Sequence, residues 1–209
     1  MKLATDGYKM MRGVFSAEAC TELIRELGPI LGAGRRLEAF SPPRLLFDLA
    51  ANYFPNSPRA VRAIFFDKSP ETNWLVTWHQ DLTIAVREKR EVAGFGPWSM
   101  KDGLPHVQPP AELLERMLTL RLHLDDADGE NGALRVLPGT HALGKLDAER
   151  IQMLRADVSE QLCAARAGDV LLMRPLLLHA SGKSTSERRR RILHVEFADF
   201  ALPSGLEWA

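Results

Sequence analysis

From Ser16 onward the apolar residues Cys20, Leu23, Ile24, Leu27, Ile30 and Leu31 recur at steps of three and four, which places them on one face of a helix. Ser16 fits an N-cap and Gly32 a stop, so a helix is predicted over 16–31. A second helix is expected from Pro42-Pro43 to about Phe54. It would turn Leu45, Leu46, Leu49 and Tyr53 inward and carry proline in its first turn, where the missing N–H costs no bond. Beyond it the period changes. Segments 60–66, 76–78, 82–87, 117–125, 133–137, 169–173, 176–181 and 190–198 read as short strands separated by Gly, Pro, Asn or Asp clusters. In one of them Leu118, Leu120, Leu122 and Leu124 alternate with Thr119, Arg121, His123 and Asp125, the period-two signature of a strand with two unlike faces. Short helices are expected at 113–117 and 147–154. The pattern predicts a mainly β fold with flanking helices, a double-sheet jelly roll that can hold a ligand at its mouth.

Composition narrows the function. A chain of 209 residues, 45% hydrophobic, suits one domain over 1–209, with a helical part at about 16–54 and a barrel at about 60–200. Lys plus Arg and Asp plus Glu both number 27, so bulk charge gives no reason to expect nucleic acid or an anionic membrane as partner. Apolar runs such as 171–173 and 176–178 fall far below the roughly 18 residues a membrane helix needs. Residues 1–7 lack the apolar core and cleavage site of a signal peptide, and a cytoplasmic protein is expected. The two cysteines, Cys20 and Cys163, form no CxxC, so a metal would have to sit on His and carboxylates. Gly32-Ala33-Gly34 follows a helix and reads as a turn, and P-loop, GxSxG and HExxH motifs are absent.

His79-Gln80-Asp81 carries an imidazole and a carboxylate at positions i and i+2, which share a side in an extended chain. With a second histidine this set suits Fe(II) and leaves adjacent positions open for a co-substrate and oxygen. The best candidate is His179, which ends the apolar run Leu176-Leu177-Leu178. The chain also supplies a decoy, His123-Leu124-Asp125, and composition cannot choose between the two pairs.

The combination of His79-Gln80-Asp81, the stretch from Asn131-Gly132 through Pro138-Gly139-Thr140-His141, and His179-Ala180-Ser181-Gly182 followed by Arg190 resembles the phytanoyl-CoA dioxygenase family. Residues 7–16 also look like that family's opening strand and helix start. The resemblance implies a double-stranded β-helix, a jelly-roll and cupin relative, and an oxygenase dependent on Fe(II), 2-oxoglutarate and O2. Carried over by position, it makes His79, Asp81 and His179 the iron ligands. It assigns Arg190, eleven residues after His179, and Ser181, two after it, to the distal carboxylate of 2-oxoglutarate. A planar guanidinium fork suits a buried carboxylate. Arg188 shares the parity of Arg190 and could replace it if the turn differs in length. His123 is left as a structural or supporting histidine, and His141 as a brace for its turn. The implied reaction hydroxylates an unactivated C–H bond of a small-molecule substrate and releases succinate and CO2. Asp81 stands where related halogenases have a small residue, which favours hydroxylation. Nothing in the composition marks a groove for the phosphates of coenzyme A.

Segment 88–110 contains Gly94, Gly96, Pro97, Gly103, Pro105 and Pro109-Pro110, and reads as a long irregular lid. Its Trp98, Lys101, Asp102, His106 and Gln108 are candidate walls for a small polar substrate. Two other readings stand beside the oxygenase: a cupin-like metalloenzyme that does not use 2-oxoglutarate, and a non-catalytic metal- or ligand-binding module. The oligomeric state is not legible.

Overall fold

The computed structural model describes residues 2–28, 34–38 and 40–209. The first long helix runs over Ala17–Leu27, and the Ser16 hydroxyl accepts the Ala19 N–H at 3.2 Å, as its cap position requires. Ile30, Leu31 and the Gly32 stop lie outside the described residues, as do Gly32 and Ala33 of the GxG. The second helix, Arg44–Ala51, is shorter than its apolar pattern suggested. It buries Leu46 and Ala50, whereas Leu45 is exposed. The two later helices occupy Ala111–Glu115 and Ala148–Asp157.

All strand pairs are antiparallel. One six-stranded sheet has the order Tyr8–Met11, Val170–Met173, Leu118–His123, Arg190–Ala198, Arg59–Lys68, Gly34–Arg36. A four-stranded sheet has the order Gln161–Leu162, Leu134–Val136, His179–Ser181, Val76–His79. Period-two alternation divides the work of the large sheet. Leu118, Leu120, Leu122, Leu193, Val195, Phe197, Ala63 and Phe65 face the helices and form the main core with Cys20, Leu23, Leu27 and Leu46. Truncating one of them, for instance Leu120→Ala, would cost about 2–5 kcal/mol. Their alternates Arg121, His194, Arg62 and Arg190 point the other way, into the space between the sheets. That space is apolar at one end, where Leu134, Val136, Leu171, Met173 and Leu177 meet, and polar at the other.

Segment 88–110 is not irregular throughout. Trp98–Lys101 and Leu104–Val107 form a hairpin that adds Ile84–Ala85 to make a third, three-stranded sheet. Its tip is Asp102-Gly103, with φ of 51° and 75°. Two consecutive residues in the left-handed region make the turn whose twist matches an antiparallel ribbon, and Asp-Gly supplies it at low cost. The 82–87 strand shrinks to Ile84–Ala85 and the 176–181 strand to His179–Ser181. Among the described residues no helix is long and apolar enough to cross a membrane.

Candidate metal centre and its two cavities

His79 ends one strand of the small sheet and pairs directly with His179 on the next, so the register alone brings the imidazoles together, with ring centroids 4.2 Å apart. Asp81 follows just beyond the strand end, where its N–H donates to the Pro175 carbonyl at 2.9 Å. The intervening Gln80 turns away. Its amide donates to Gly144 and Leu176 carbonyls and accepts from the Leu146 N–H, which fixes the segment that carries the pair.

The His79 Nε2 lies 3.7 Å from one Asp81 oxygen and the His179 Nε2 lies 3.7 Å from the other. Each imidazole donates its Nδ1–H to a backbone carbonyl two residues earlier, Thr77 or Leu177, at 2.8 Å. That bond fixes the tautomer and leaves both Nε2 lone pairs aimed at the carboxylate, the arrangement metal-ligating histidines use. Burial pushes His179 down to about 4, so it is neutral at physiological pH, as a ligand must be. Burial opposes ionisation of Asp81, but the neighbouring imidazoles hold its carboxyl well below the usual carboxylate range. One Asp81 oxygen is buried without a hydrogen-bond partner. The three donor atoms lie within 4.8 Å of one another, so the donor set, the orphaned oxygen and the tautomers all fit a divalent metal that takes two imidazoles and a carboxylate. Side-chain exposure falls from 38% at His79 through 21% at Asp81 to 4% at His179, so the centre opens to solvent on the His79 side.

Two cavities meet at this triad. The inner one, about 190 Å³, lies between the sheets, with Arg190, Ser181, Arg121 and Trp74 in its walls. The outer one, about 560 Å³, is bounded by His79, Asp81, Arg36 and the hairpin residues Lys101, Asp102 and His106, with Gln108 beside them. Four of the five expected substrate-wall residues therefore reach the outer cavity. Trp98 does not: it is partly buried against the apolar cluster that contains Val107, Leu176 and Phe200.

Arg190 begins the Arg190–Ala198 strand, and its Nε is buried without a partner. Burial and the nearby Arg121 push its guanidinium down to about 9. Arg188 is excluded from the inner cavity, because it is exposed and bonds Asp128 at 2.7 Å and Glu130 at 3.2 Å. Ser181 donates to the Gly132 carbonyl at 2.9 Å and accepts from the Lys68 ammonium at 3.2 Å. A Cβ at Gly132, whose φ is +75°, would stand 2.5 Å from the Gly182 carbonyl oxygen, so this turn can approach the site only as glycine. Lys68 is buried, and burial with Arg190 pushes it down to about 7.

Sequence reasoning missed Lys68, Arg62, Arg121 and Arg36. The signal available for Arg121 was its place on the polar face of a strand whose opposite face is all leucine. The decoy histidine, His123, lines neither cavity. Asp125 instead makes two bonds, both 2.7 Å, to Arg191. His141 braces its turn as expected. Its Nε2 meets the Ala4 carbonyl at 3.2 Å, and its ring fills the space a Cβ at Gly7 would need.

The family model described as phytanoyl-CoA dioxygenase (PhyH) matches residues 39–192 of the 209. The chain belongs to the phytanoyl-CoA dioxygenase family. The oxygenase is thus an oxidoreductase of the non-haem type, with iron as its metal and 2-oxoglutarate and O2 as co-substrates. Among solved structures, AviO1 from Streptomyces viridochromogenes Tue57 is 21% identical over 97% of this chain and 94% of its own, with a TM-score of 0.65. HygX from Streptomyces hygroscopicus, with nickel, 2-oxoglutarate and hygromycin B bound, is 18% identical over 94% and 84%, with a TM-score of 0.63. SnoN, a non-haem alpha-ketoglutarate-dependent epimerase from nogalamycin biosynthesis, is 16% identical over 95% and 80%, with a TM-score of 0.65. These likenesses establish the double-stranded β-helix fold of the oxygenase. No curated protein sequence matches it.

Proposed function

We propose that the oxygenase hydroxylates an unactivated C–H bond of a small polar molecule, with 2-oxoglutarate converted to succinate and CO2. His79, Asp81 and His179 would hold Fe(II), and Arg190 would hold the distal carboxylate of 2-oxoglutarate. The observation that carries this reading is the convergence of both Nε2 atoms on the Asp81 carboxylate, one oxygen each, with one of those oxygens orphaned, at the junction of an inner cavity containing Arg190 with a larger outer one. Bound iron would supply the activation of O2, the oxidant, one oxygen atom of which ends in succinate as the keto acid loses CO2 and the other in the product hydroxyl.

The chain's own residues do the rest. The Thr77 and Leu177 carbonyls hold the imidazoles in the ligating tautomer. Arg190 offers an unpartnered donor to an anion in a site with little water, where a charge-assisted bond is strong. Lys68, which donates to Ser181 and is pushed down to about 7 by burial and Arg190, would be held in its protonated form by a carboxylate bound beside Ser181. Ser181 stands beside the same carboxylate, and its proton reaches a ligand only when it releases the Gly132 carbonyl. Lys101, Asp102, His106 and Gln108 would orient the substrate from the hairpin side. The His106 Nδ1 meets the Leu104 carbonyl at 3.1 Å, which leaves Nε2 as an acceptor for a substrate hydroxyl or amine. SnoN carries a different reaction name on this fold, so the outcome at the target carbon has to be measured on products.

The test is an anaerobic titration of the purified protein with Fe(II), then 2-oxoglutarate, followed by the visible charge-transfer band of a chelated keto acid. The band is expected in the native protein and absent in His79→Ala. Bound iron with no band would favour a cupin-like metalloenzyme, and no bound iron would favour a ligand-binding module.

A further inference from the structure

The inner cavity contains a second buried guanidinium that the distal carboxylate does not explain. Arg121 is buried, and its Nε has no hydrogen-bond partner. Among the described residues no acid pairs with it, in contrast to Arg62 with Glu196, Arg189 with Asp67 and Arg191 with Asp125. Its one side-chain partner is neutral: Nη1 donates at 2.8 Å to Nδ1 of His194, whose Nε2 faces Glu196 at 3.2 Å. The nearest opposing charge is the Asp81 carboxylate, which does not pair with it, so the orphaned Nε is left free for an anion that enters the cavity beside Asp81.

Register places Arg121 at one end of the cavity. It pairs with His194, four residues beyond Arg190 on the same strand, a separation of roughly 13 Å along the sheet at ~3.3 Å per residue. On the facing sheet Ser181, which belongs with Arg190, lies two residues beyond His179. The root of Arg121 is therefore at the metal end, and that of Arg190 at the far end. Arg121 also exerts its field on both sets of groups, His79, His179 and Asp81 on one side and Arg190 on the other.

The geometry points to Arg121 as a second anion anchor, one that takes the carboxylate next to the keto group of 2-oxoglutarate while Arg190 takes the distal one. This assignment rests on the iron and 2-oxoglutarate reading above. It makes Arg121 a co-substrate-positioning residue: the two ends of the dianion each meet a guanidinium, and the keto-acid end is oriented as it reaches the metal.

The experiment compares Arg121→Gln, Arg121→Lys and Arg190→Gln, loaded anaerobically with Fe(II) and titrated with 2-oxoglutarate or with pyruvate, which has the keto-acid end alone. Arg121→Gln is expected to weaken both keto acids equally, by about 10- to 100-fold, and to move the maximum of the charge-transfer band. Arg121→Lys, which keeps the charge but loses the planar fork, should recover only part of that loss and still weaken both keto acids measurably. Arg190→Gln should weaken 2-oxoglutarate only and erase its advantage over pyruvate, with the band unmoved. The assignment is overturned if Arg121→Gln leaves both affinities and the band unchanged, or if it erases the preference for 2-oxoglutarate as Arg190→Gln does. Should Arg121→Gln lose iron or fail to fold, Arg121→Lys decides: a weakening shared by both keto acids with a moved band supports the assignment, and native behaviour or loss of the preference refutes it. A native protein with iron bound but no band would refute the 2-oxoglutarate reading itself, and the Arg121 assignment with it.

Discussion

The chain contains the tripeptide pattern His-x-Asp twice, and the two copies fold to opposite ends. In His79-Gln80-Asp81 the strand stops at the histidine, the middle residue is tied away by three hydrogen bonds, and both outer side chains meet His179. In His123-Leu124-Asp125 the middle residue goes into the main core, the carboxylate turns to Arg191, and the imidazole stays under the sheet against the Asp169 carbonyl, at 3.4 Å. What separates them is the neighbouring strand. His79 faces another histidine in register, whereas His123 faces Ile192. A metal motif is thus a property of two strands at once, and one strand's spacing expresses only half of it.

The most severe test of this contrast removes histidines one at a time. His179→Ala or His79→Ala should cost more than ~100-fold in Fe(II) affinity in an anaerobic titration, because on the proposed reading each removes a direct ligand; second-layer changes alone cost 10–100-fold. His123→Ala should keep iron within a few-fold, and loss of metal in that variant alone would promote the decoy pair.

Next in size is the co-substrate anchor. Arg190→Ala should retain iron but weaken 2-oxoglutarate by roughly 100-fold, the effect of removing a charge-assisted pair from a buried site. Loss of affinity in Arg188→Ala, with Arg190→Ala unaffected, would show the last strand in another register.

The decoy histidine should betray itself through pH. Burial and the guanidiniums of Arg121 and Arg190 push His123 down to about 3, below its unfolded value of ~6.5. As pH falls, the unfolded chain takes up this proton first, so the contribution to stability is complete above ~6.5 and is lost between there and about 3. At pH 5 the loss from this one group is about 2 kcal/mol. Urea unfolding of the metal-free protein at pH 7 and pH 5 should show a smaller difference in His123→Gln than in the native chain. Equal differences would mean that His123 is not held neutral in the fold.

The smallest effects belong to the carboxylates and arginines that the site does not use. Asp125→Asn loses the paired bonds to a half-buried Arg191 and should cost about 1 kcal/mol in thermal or urea unfolding without touching iron. Arg188→Ala, at an exposed pair, should stay within ~0.5 kcal/mol and leave 2-oxoglutarate affinity unchanged.

Much of this was legible in the chain, and unevenly so. The Ser16 cap, the strands at 118–123 and 190–198, and the two faces of the Leu118–His123 strand follow from spacing, because local periodicity and capping chemistry decide them. The choice of His79 over His123 came only from the family pattern, since spacing treats the pairs alike. The 98–107 hairpin was hidden by its own prolines and glycines: Gly96, Pro97 and Pro105 outweighed Asp102-Gly103, although that dipeptide is the stronger sign. Lys68, Arg62 and Arg121 read as ordinary polar positions of strands. Parity tells which face a residue is on, but a second sheet has to be packed over that face before it becomes the wall of a cavity.

The four arginines at 188–191 part company in the fold: Arg188 goes to Asp128 and Glu130, Arg189 to Asp67, Arg190 to the inner cavity and Arg191 to Asp125. Because the residues are identical, deleting any one of them gives the same shortened polypeptide, so a deletion within the run cannot single out Arg190. The strand is held by nine pairs to Arg59–Lys68, whereas the segment before it is a surface turn, so the turn absorbs the missing residue and the three remaining arginines keep the inner three positions. Only the outermost seat, with its exposed pairing to Asp128 and Glu130, is left without an arginine. On the proposed reading of Arg190, the run therefore buffers that position against the loss of one residue from the chain.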